Sequence, residues 1–170
     1  MALFTNGSLD GYKNFWNLDS NGKATDAIRE NDCRHRLLGL LKPLLQQQGI
    51  QSEPEGSFAE DKRADIKVQF SSLVLPIEIK RHYHKDIWTA PEGQLHKRYS
   101  RDPGADGHGI YLVFWFGIDF RKVPKAPNNI KSPVSAAEME EEIIRTIPEA
   151  IKEQIEVIVF DCSRPIVLKK

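Results

Sequence analysis

The stretch Arg63–His84 reads RADIKVQFSSLVLPIEIKRHYH, and its alternation decides the fold. Residues of equal parity on a strand share one face. If Ser71 and Ser72 make a two-residue turn, Ile66, Val68 and Phe70 join Leu73, Leu75, Ile77 and Ile79 in one apolar face, the expected core side. The same turn sets Phe70 opposite Leu73, and stepping back along both strands sets Asp65 opposite Glu78. Lys80 follows on that polar face, two positions beyond Glu78. Opposed residues of an antiparallel pair have Cβ atoms roughly 4.5–5.5 Å apart, where two carboxylates repel. A divalent metal bound between them removes the repulsion. Ser-Ser is not a favoured hairpin dipeptide, and a bulge at the turn would shift the register and the pairing with it.

Outward from the hairpin, the flanks read as alternating helices and strands. Upstream, Thr25 can cap a helix whose stripe is Ile28, Leu37, Leu38, Leu41, Leu44 and Leu45, with Pro43 expected to kink it or mark a break near its end. The connection QQGIQSEPEGSFAEDK (47–62) has room for a short strand. Downstream, TAPEGQLHKRYS (89–100) has the capping-box spacing of Thr89 and Glu92 and begins a helix. IYLVFWFGI (110–118) is apolar on both faces, as in a central or parallel strand. SAAEMEEEIIRTI (135–147) is helical, Pro148 starts a short helix with Thr146 and Glu149 at capping-box spacing, and EVIVFD (156–161) closes as a strand. An antiparallel hairpin combined with strands separated by helices predicts an α/β fold with a mixed sheet flanked by helices.

The chain has 170 residues, 40% of them hydrophobic, enough for one packed domain and too few for two. Residues 1–24 are rich in Gly, Asn, Asp and Ser without a sustained period and read as an N-terminal arm or linker, with Phe15 and Trp16 docking on a domain of residues 25–170. The longest apolar run is too short for a membrane span and the start lacks a signal-peptide pattern, so the expectation is a cytoplasmic protein without a membrane partner. Cys33 and Cys162 lack metal-ligand spacing and read as small buried residues. Lysine plus arginine equals aspartate plus glutamate at 24 each. No global field therefore draws the chain to a polyanion, but the charges are uneven: 80–101 and RKVPKAPNNIK (121–131) are basic, whereas 138–156 is acidic.

Ala64-Asp65, then Glu78-Ile79-Lys80 thirteen residues after the aspartate, with an acid at Glu30 on the preceding helix and a helix and apolar strand following, resembles the PD-(D/E)XK nuclease superfamily over roughly residues 25–117. The resemblance implies a restriction endonuclease-like core of helix, three strands, helix and strand, here followed by C-terminal helices and a further strand. It implies that Asp65 and Glu78 bind Mg²⁺, for which Mn²⁺ substitutes, that the Ile79 carbonyl reaches the metal, and that Lys80 positions or activates the attacking water. Glu30 would be the acid supplied by the first helix, with Asp32 as its rival. Alanine stands where the superfamily often has proline. Gln94 and Tyr99 look like the Gln and Tyr of exonuclease-like and recombination-type members, but four residues separate them where that pattern has three.

The implied activity is a metal-dependent nuclease, an endonuclease acting on DNA in preference to RNA, as part of a restriction or phage-defence system. Its expected partners are nucleic acid, other domains of a larger protein, or a second copy in a homodimer. The alternative is a catalytically silent domain that binds nucleic acid or a partner protein. The chemistry asks for the same residue types independently: a hard cation held by one or two carboxylates, and a lysine beside it to stabilise charge on the phosphate. His82, Gln94, Lys97, Arg98 and Tyr99 are the candidate nucleic-acid contacts. His84 shares the parity of His82. Trp88 and Trp115 serve either base stacking or core packing.

Overall fold

The Ser71–Ser72 turn forms, and it sets the register that the alternation predicts. In the computed structural model, which describes residues 10–57, 63–99, 102–127 and 130–165, β4 (Ile66–Phe70) pairs antiparallel with β5 (Leu73–Arg81), Phe70 opposite Leu73 and Ile66 opposite Ile77. The turn is made with Ser71 at φ 54°, a left-handed conformation that a residue with a Cβ adopts at a cost of roughly 1–2 kcal/mol. Beyond the described residues lie 1–9 and 166–170 of the expected arm and domain, 58–62 of the connection, Ser100 and Arg101, and Asn128 and Asn129 of the basic loop.

β3 (Gln51–Pro54), the short strand foreseen in the connection, adds antiparallel to β4, while β6 (Gly109–Trp115) and β7 (Ile155–Asp161) add parallel to β5. The result is a five-stranded mixed sheet in the order β3-β4-β5-β6-β7, flanked by helices. Its interior strand β6 is apolar on both faces for the expected reason. Tyr111, Val113 and Trp115 enter one core with Leu95, Met139 and Ile143; Leu112 and Phe114 enter the other with Phe15, Trp16, Leu37 and Leu38. The helix α1 (Glu30–Gln47) covers the second face, and α2 (Ala136–Thr146) and the helix Pro91–Tyr99 cover the first. Both cysteines are buried and free.

Several local expectations are corrected. Thr25 does not cap α1, which starts at Glu30; it lies in β2 (Ala24–Ala27), which pairs with β1 (Trp16–Leu18), and its hydroxyl donates to the Asn17 carbonyl. The Asp19 side chain accepts from the N–H groups of Asn21 and Lys23 and closes that hairpin. From Asp10 the presumed arm is therefore structured, and Phe15 and Trp16 dock as expected at 1% exposure each. Pro43 does not end α1, which runs to Gln47. Thr89 forms no capping box; its hydroxyl donates to the Asp86 carbonyl. Phe70 and Leu73 are not core but 55% and 49% exposed, because the turn projects past the cover of α1.

The helix Pro91–Tyr99 is wound as a π-helix. Its i→i+5 period brings residues five apart onto successive turns, so Gln94 and Tyr99 stand one turn apart.

Candidate active site

β5 has nine residues and β4 only five. Their ladder stops at Ile66 opposite Ile77, leaving the last part of β5 bonded to β6 on one side and open on the other. Two carboxylates close that open edge. Asp65, just before β4, accepts the Ile79 N–H on Oδ2 at 2.8 Å, and Glu30, the first residue of α1, accepts the Arg81 N–H on Oε2 at 3.2 Å. Charge-assisted bonds of this kind replace the rungs that a longer β4 would supply. Asp65 is thus not the cross-strand partner of Glu78; its carboxylate turns onto the backbone N–H of Ile79, the next residue.

Glu78 and Lys80 point to the sheet face shared with Tyr111 and Val113, their register partners on β6. They are 4% and 6% exposed. The Lys80 Nζ donates to Glu78 Oε1 at 2.5 Å and to the Ile79 carbonyl at 3.0 Å, and Glu30 Oε1 lies 3.9 Å away. Burial pushes the Glu78 carboxyl up to about 7, against the pull of Lys80 and with the help of Asp65 and Glu30. For Lys80, burial acts downward, but Glu78, Glu30 and Asp65 together outweigh it and hold the amine above its usual value. Nζ is an ammonium encircled by oxygens.

Arg34, one turn along α1 from Glu30, completes the cluster. It is 4% exposed. NH1 lies 3.5 Å from Asp65 Oδ1 and NH2 2.9 Å from Glu55 Oε1, so both oxygens of Asp65 are engaged, while Nε is buried without a hydrogen-bond partner. Sequence reasoning passed over this residue. The available signal was its spacing of four from Glu30, which puts the two on one helix face.

Of the predicted site residues, Glu30, Asp65, Glu78, Ile79 and Lys80 come together. Asp32 is exposed in the first turn of α1, and Glu30 makes the contacts to Lys80 and Arg81. The oxygen-only donors suit a hard cation such as Mg²⁺, and three of these oxygens already surround a cationic nitrogen. Among the described residues, however, no three His, Cys, Asp or Glu side chains are gathered as a metal-binding group, since Asp65 is turned toward Ile79 N and Arg34.

The predicted nucleic-acid contacts divide. Lys97 and Arg98 are exposed, with Lys97 paired to Glu92 at 2.8 Å, and Gln94 is half-buried. Tyr99 is corrected to a core residue at 7% exposure; burial raises its hydroxyl pKa, and the charges of Glu78 and Asp65 add to the rise. His82 is corrected more fully. It is 0% exposed, its Nδ1 accepts from Phe116 N–H at 3.1 Å, and its Nε2 therefore carries the proton and donates to the Arg121 carbonyl at 2.8 Å. Trp88 and Trp115 pack in the core, with Trp88 Nε1 donating to the Pro124 carbonyl.

A family model described as a domain of unknown function, DUF8371, matches residues 7–118. That span contains Glu30, Arg34, Asp65, Glu78 and Lys80 and ends just past β6. No curated protein and no solved structure matches the chain. The protein belongs to the DUF8371 family of domains of unknown function.

Proposed function

We infer that the protein is a metal-dependent nuclease of the PD-(D/E)XK type that hydrolyses phosphodiester bonds, in DNA in preference to RNA. The observation that carries the reading is the convergence of Glu30, Glu78 and the Ile79 carbonyl on the Lys80 ammonium, with Asp65 on the adjoining strand edge. A helix, a strand end and the residue preceding another strand each contribute to one partly buried cluster. The element order from α1 to β6, and the π-winding that sets Gln94 and Tyr99 one turn apart, support it further.

Asp65, Glu78 and the Ile79 carbonyl would hold Mg²⁺ or Mn²⁺, with Glu30 beside them. Once bound, such an ion supplies positive charge at the phosphate. Lys80 holds a proton at Nζ and can orient a water and stabilise charge growing on the phosphate oxygens. Arg34 and the Ile79 N–H fix the Asp65 carboxylate from both sides.

Two observations favour a second reading, a silent domain that binds nucleic acid without cutting it: Lys80 is locked on Glu78, and among the described residues no three His, Cys, Asp or Glu side chains are gathered as a metal group. Incubation with linear, circular and single-stranded substrates in Mg²⁺ or Mn²⁺ decides between them. Cleavage by the wild type that Asp65→Ala abolishes is the expected result. Binding without cleavage in either metal would leave the silent reading.

A further inference from the structure

Where β5 ends, Arg81, Tyr83 and Arg121 form a second cluster. The guanidinium carbon of Arg81 lies 4.9 Å from the centre of the Tyr83 ring, and that of Arg121 lies 5.1 Å from the same centre. Among the described residues neither guanidinium has a carboxylate within ion-pair distance. Like charges gathered near one ring repel, and a bound anion offsets that repulsion.

Each arginine is anchored independently. Arg81 gives its backbone N–H to Glu30, the carboxylate that also faces Lys80, and its NH1 to the Ile28 carbonyl at 3.3 Å; its Nε is buried without a hydrogen-bond partner. Arg121 is exposed, but its carbonyl is held by the buried His82 ring, and its guanidinium also lies over Phe120 at 5.7 Å. Tyr83 is half-buried, with its ring against Phe116 and Phe120. His82 thus has a positioning role: its ring ties the loop that carries Arg121 to the end of β5. Planar guanidiniums held on an aromatic ring keep their forked donors oriented, which suits phosphate oxygens better than a mobile lysine does.

We propose that Arg81 and Arg121, carried on Tyr83, bind a backbone phosphate of the nucleic acid at the end of β5. The proposal deepens the reading above and rests on its nucleic-acid substrate. Glu30 joins the two sites, since one of its oxygens faces Lys80 and the other accepts from the Arg81 backbone. A phosphate contact positions a strand without reading its bases, so the effect is independent of sequence.

Affinities of the full chain for a labelled duplex and a labelled single strand are measured in EDTA across a range of salt, where no cleavage intervenes. Wild type, Arg81→Ala, Arg121→Ala and, as a remote control on α2, Arg145→Ala are compared, with folding checked by thermal melting. Losing one phosphate contact flattens the dependence of log K on log salt by about 0.9 for a duplex or about 0.7 for a single strand. That change is expected for Arg81→Ala and Arg121→Ala and not for Arg145→Ala. Arg121 is exposed, so its variant carries the test if Arg81→Ala unfolds. An unchanged slope in Arg121→Ala overturns the proposal. So does inorganic phosphate that binds wild type but not Arg121→Ala while nucleic-acid affinity is equal, because the cluster then takes a free phosphate. Slopes that fall as expected in a protein that cleaves nothing in Mg²⁺ sustain the proposal and sink the nuclease reading; a wild type that binds no nucleic acid overturns both.

Discussion

The two ends of the β4–β5 hairpin reverse the usual distribution of residues. At the turn, Phe70 and Leu73 are 55% and 49% exposed; at the open end, Glu78 and Lys80 are 4% and 6% exposed. Alternation is the same at both ends, so residue type does not decide burial here. Cover does. α1 and the π-helix close over the open end, and the turn projects past them. The apolar residues at the turn forgo little, because a singly exposed large side chain is ordinary. The charged end is a different matter, since desolvating an ion pair often offsets its Coulomb gain and an apolar replacement is frequently as stable. On the proposed nuclease reading, chemistry more than stability accounts for charges buried there.

The largest effect that tests this contrast is at Lys80. Lys80→Ala should lower single-turnover cleavage in saturating Mg²⁺ by roughly a hundredfold to a thousandfold with substrate affinity retained. Lys80→Arg should fail too, because a broad fork does not fit the space of a compact ammonium. Near-normal cleavage by the arginine variant would reduce Lys80 to a salt-bridge partner. Lys80→Ala should also lose about 3 kcal/mol of stability by stranding Glu78. The loss should depend on pH with a definite sign: a carboxyl whose folded pKa is raised is favourable below its unfolded value of 4.5 and loses that stability as pH rises through about 7. Urea unfolding in EDTA should therefore show a greater deficit at pH 8 than at pH 5.5, and equal deficits would argue that Glu78 does not remain buried.

Arg34→Ala sharpens the same contrast more gently. Asp65 and Glu55 are partly solvated, so the cost should be about 1–2 kcal/mol, less than for breaking a fully buried pair. Because Asp65 then lacks its guanidinium, added Mg²⁺ should raise the melting temperature of this variant more than that of wild type. An equal or smaller rise would separate Arg34 from the metal ligands.

His82 should give a shallower signature. Burial lowers its pKa, opposed by backbone hydrogen bonds to Arg121 and Phe114. A histidine with a depressed folded pKa is favourable above its unfolded value of 6.5 and loses that contribution as pH falls. Between pH 6.5 and 5 the wild type should lose at most about 1.4 kcal/mol per pH unit from this residue, and His82→Gln should flatten that slope. An unflattened slope would assign the acid sensitivity to other groups.

At the turn the effects should be smallest. Ser71→Gly relieves the left-handed backbone and should stabilise by up to about 1 kcal/mol, while Phe70→Thr and Leu73→Thr should each stay within about 0.5 kcal/mol in urea unfolding. A loss of several kcal/mol from either threonine variant would mean that the turn is covered in solution.

The hairpin was legible in the sequence because a period of two over both strands leaves one register that gathers the apolar side chains. The placing of Glu78 and Lys80 on one face followed from that parity, whereas Asp65 reaches the cluster from the open strand edge. The hairpin of residues 16–27 was not legible, since strands of three and four residues are too short to show a period and a side chain, Asp19, closes the turn. Nor was the burial of His82, whose ring bonds a loop residue 39 positions away, Arg121. Arg34 looked like any charge on a helix, and only the position of Asp65 reveals what it holds. The edge role of Asp65 and Glu30 was hidden too, because it arises from the mismatch in strand lengths and not from either residue alone.

The indole of Trp16 donates to the Cys162 carbonyl at 2.8 Å, and Phe15 lies against Phe114 and Phe160 at 4.9 and 5.5 Å. The start of the described chain is thereby sewn to its last strand. The stretch matched by the family model ends at residue 118, before β7, so the matched stretch alone lacks the last strand of the sheet. Cut there, it would lose the acceptor for Trp16 and one of the two rings against Phe15, that of Phe160, and it would present β6 as a bare, two-sided apolar edge, the kind of surface that recruits another strand.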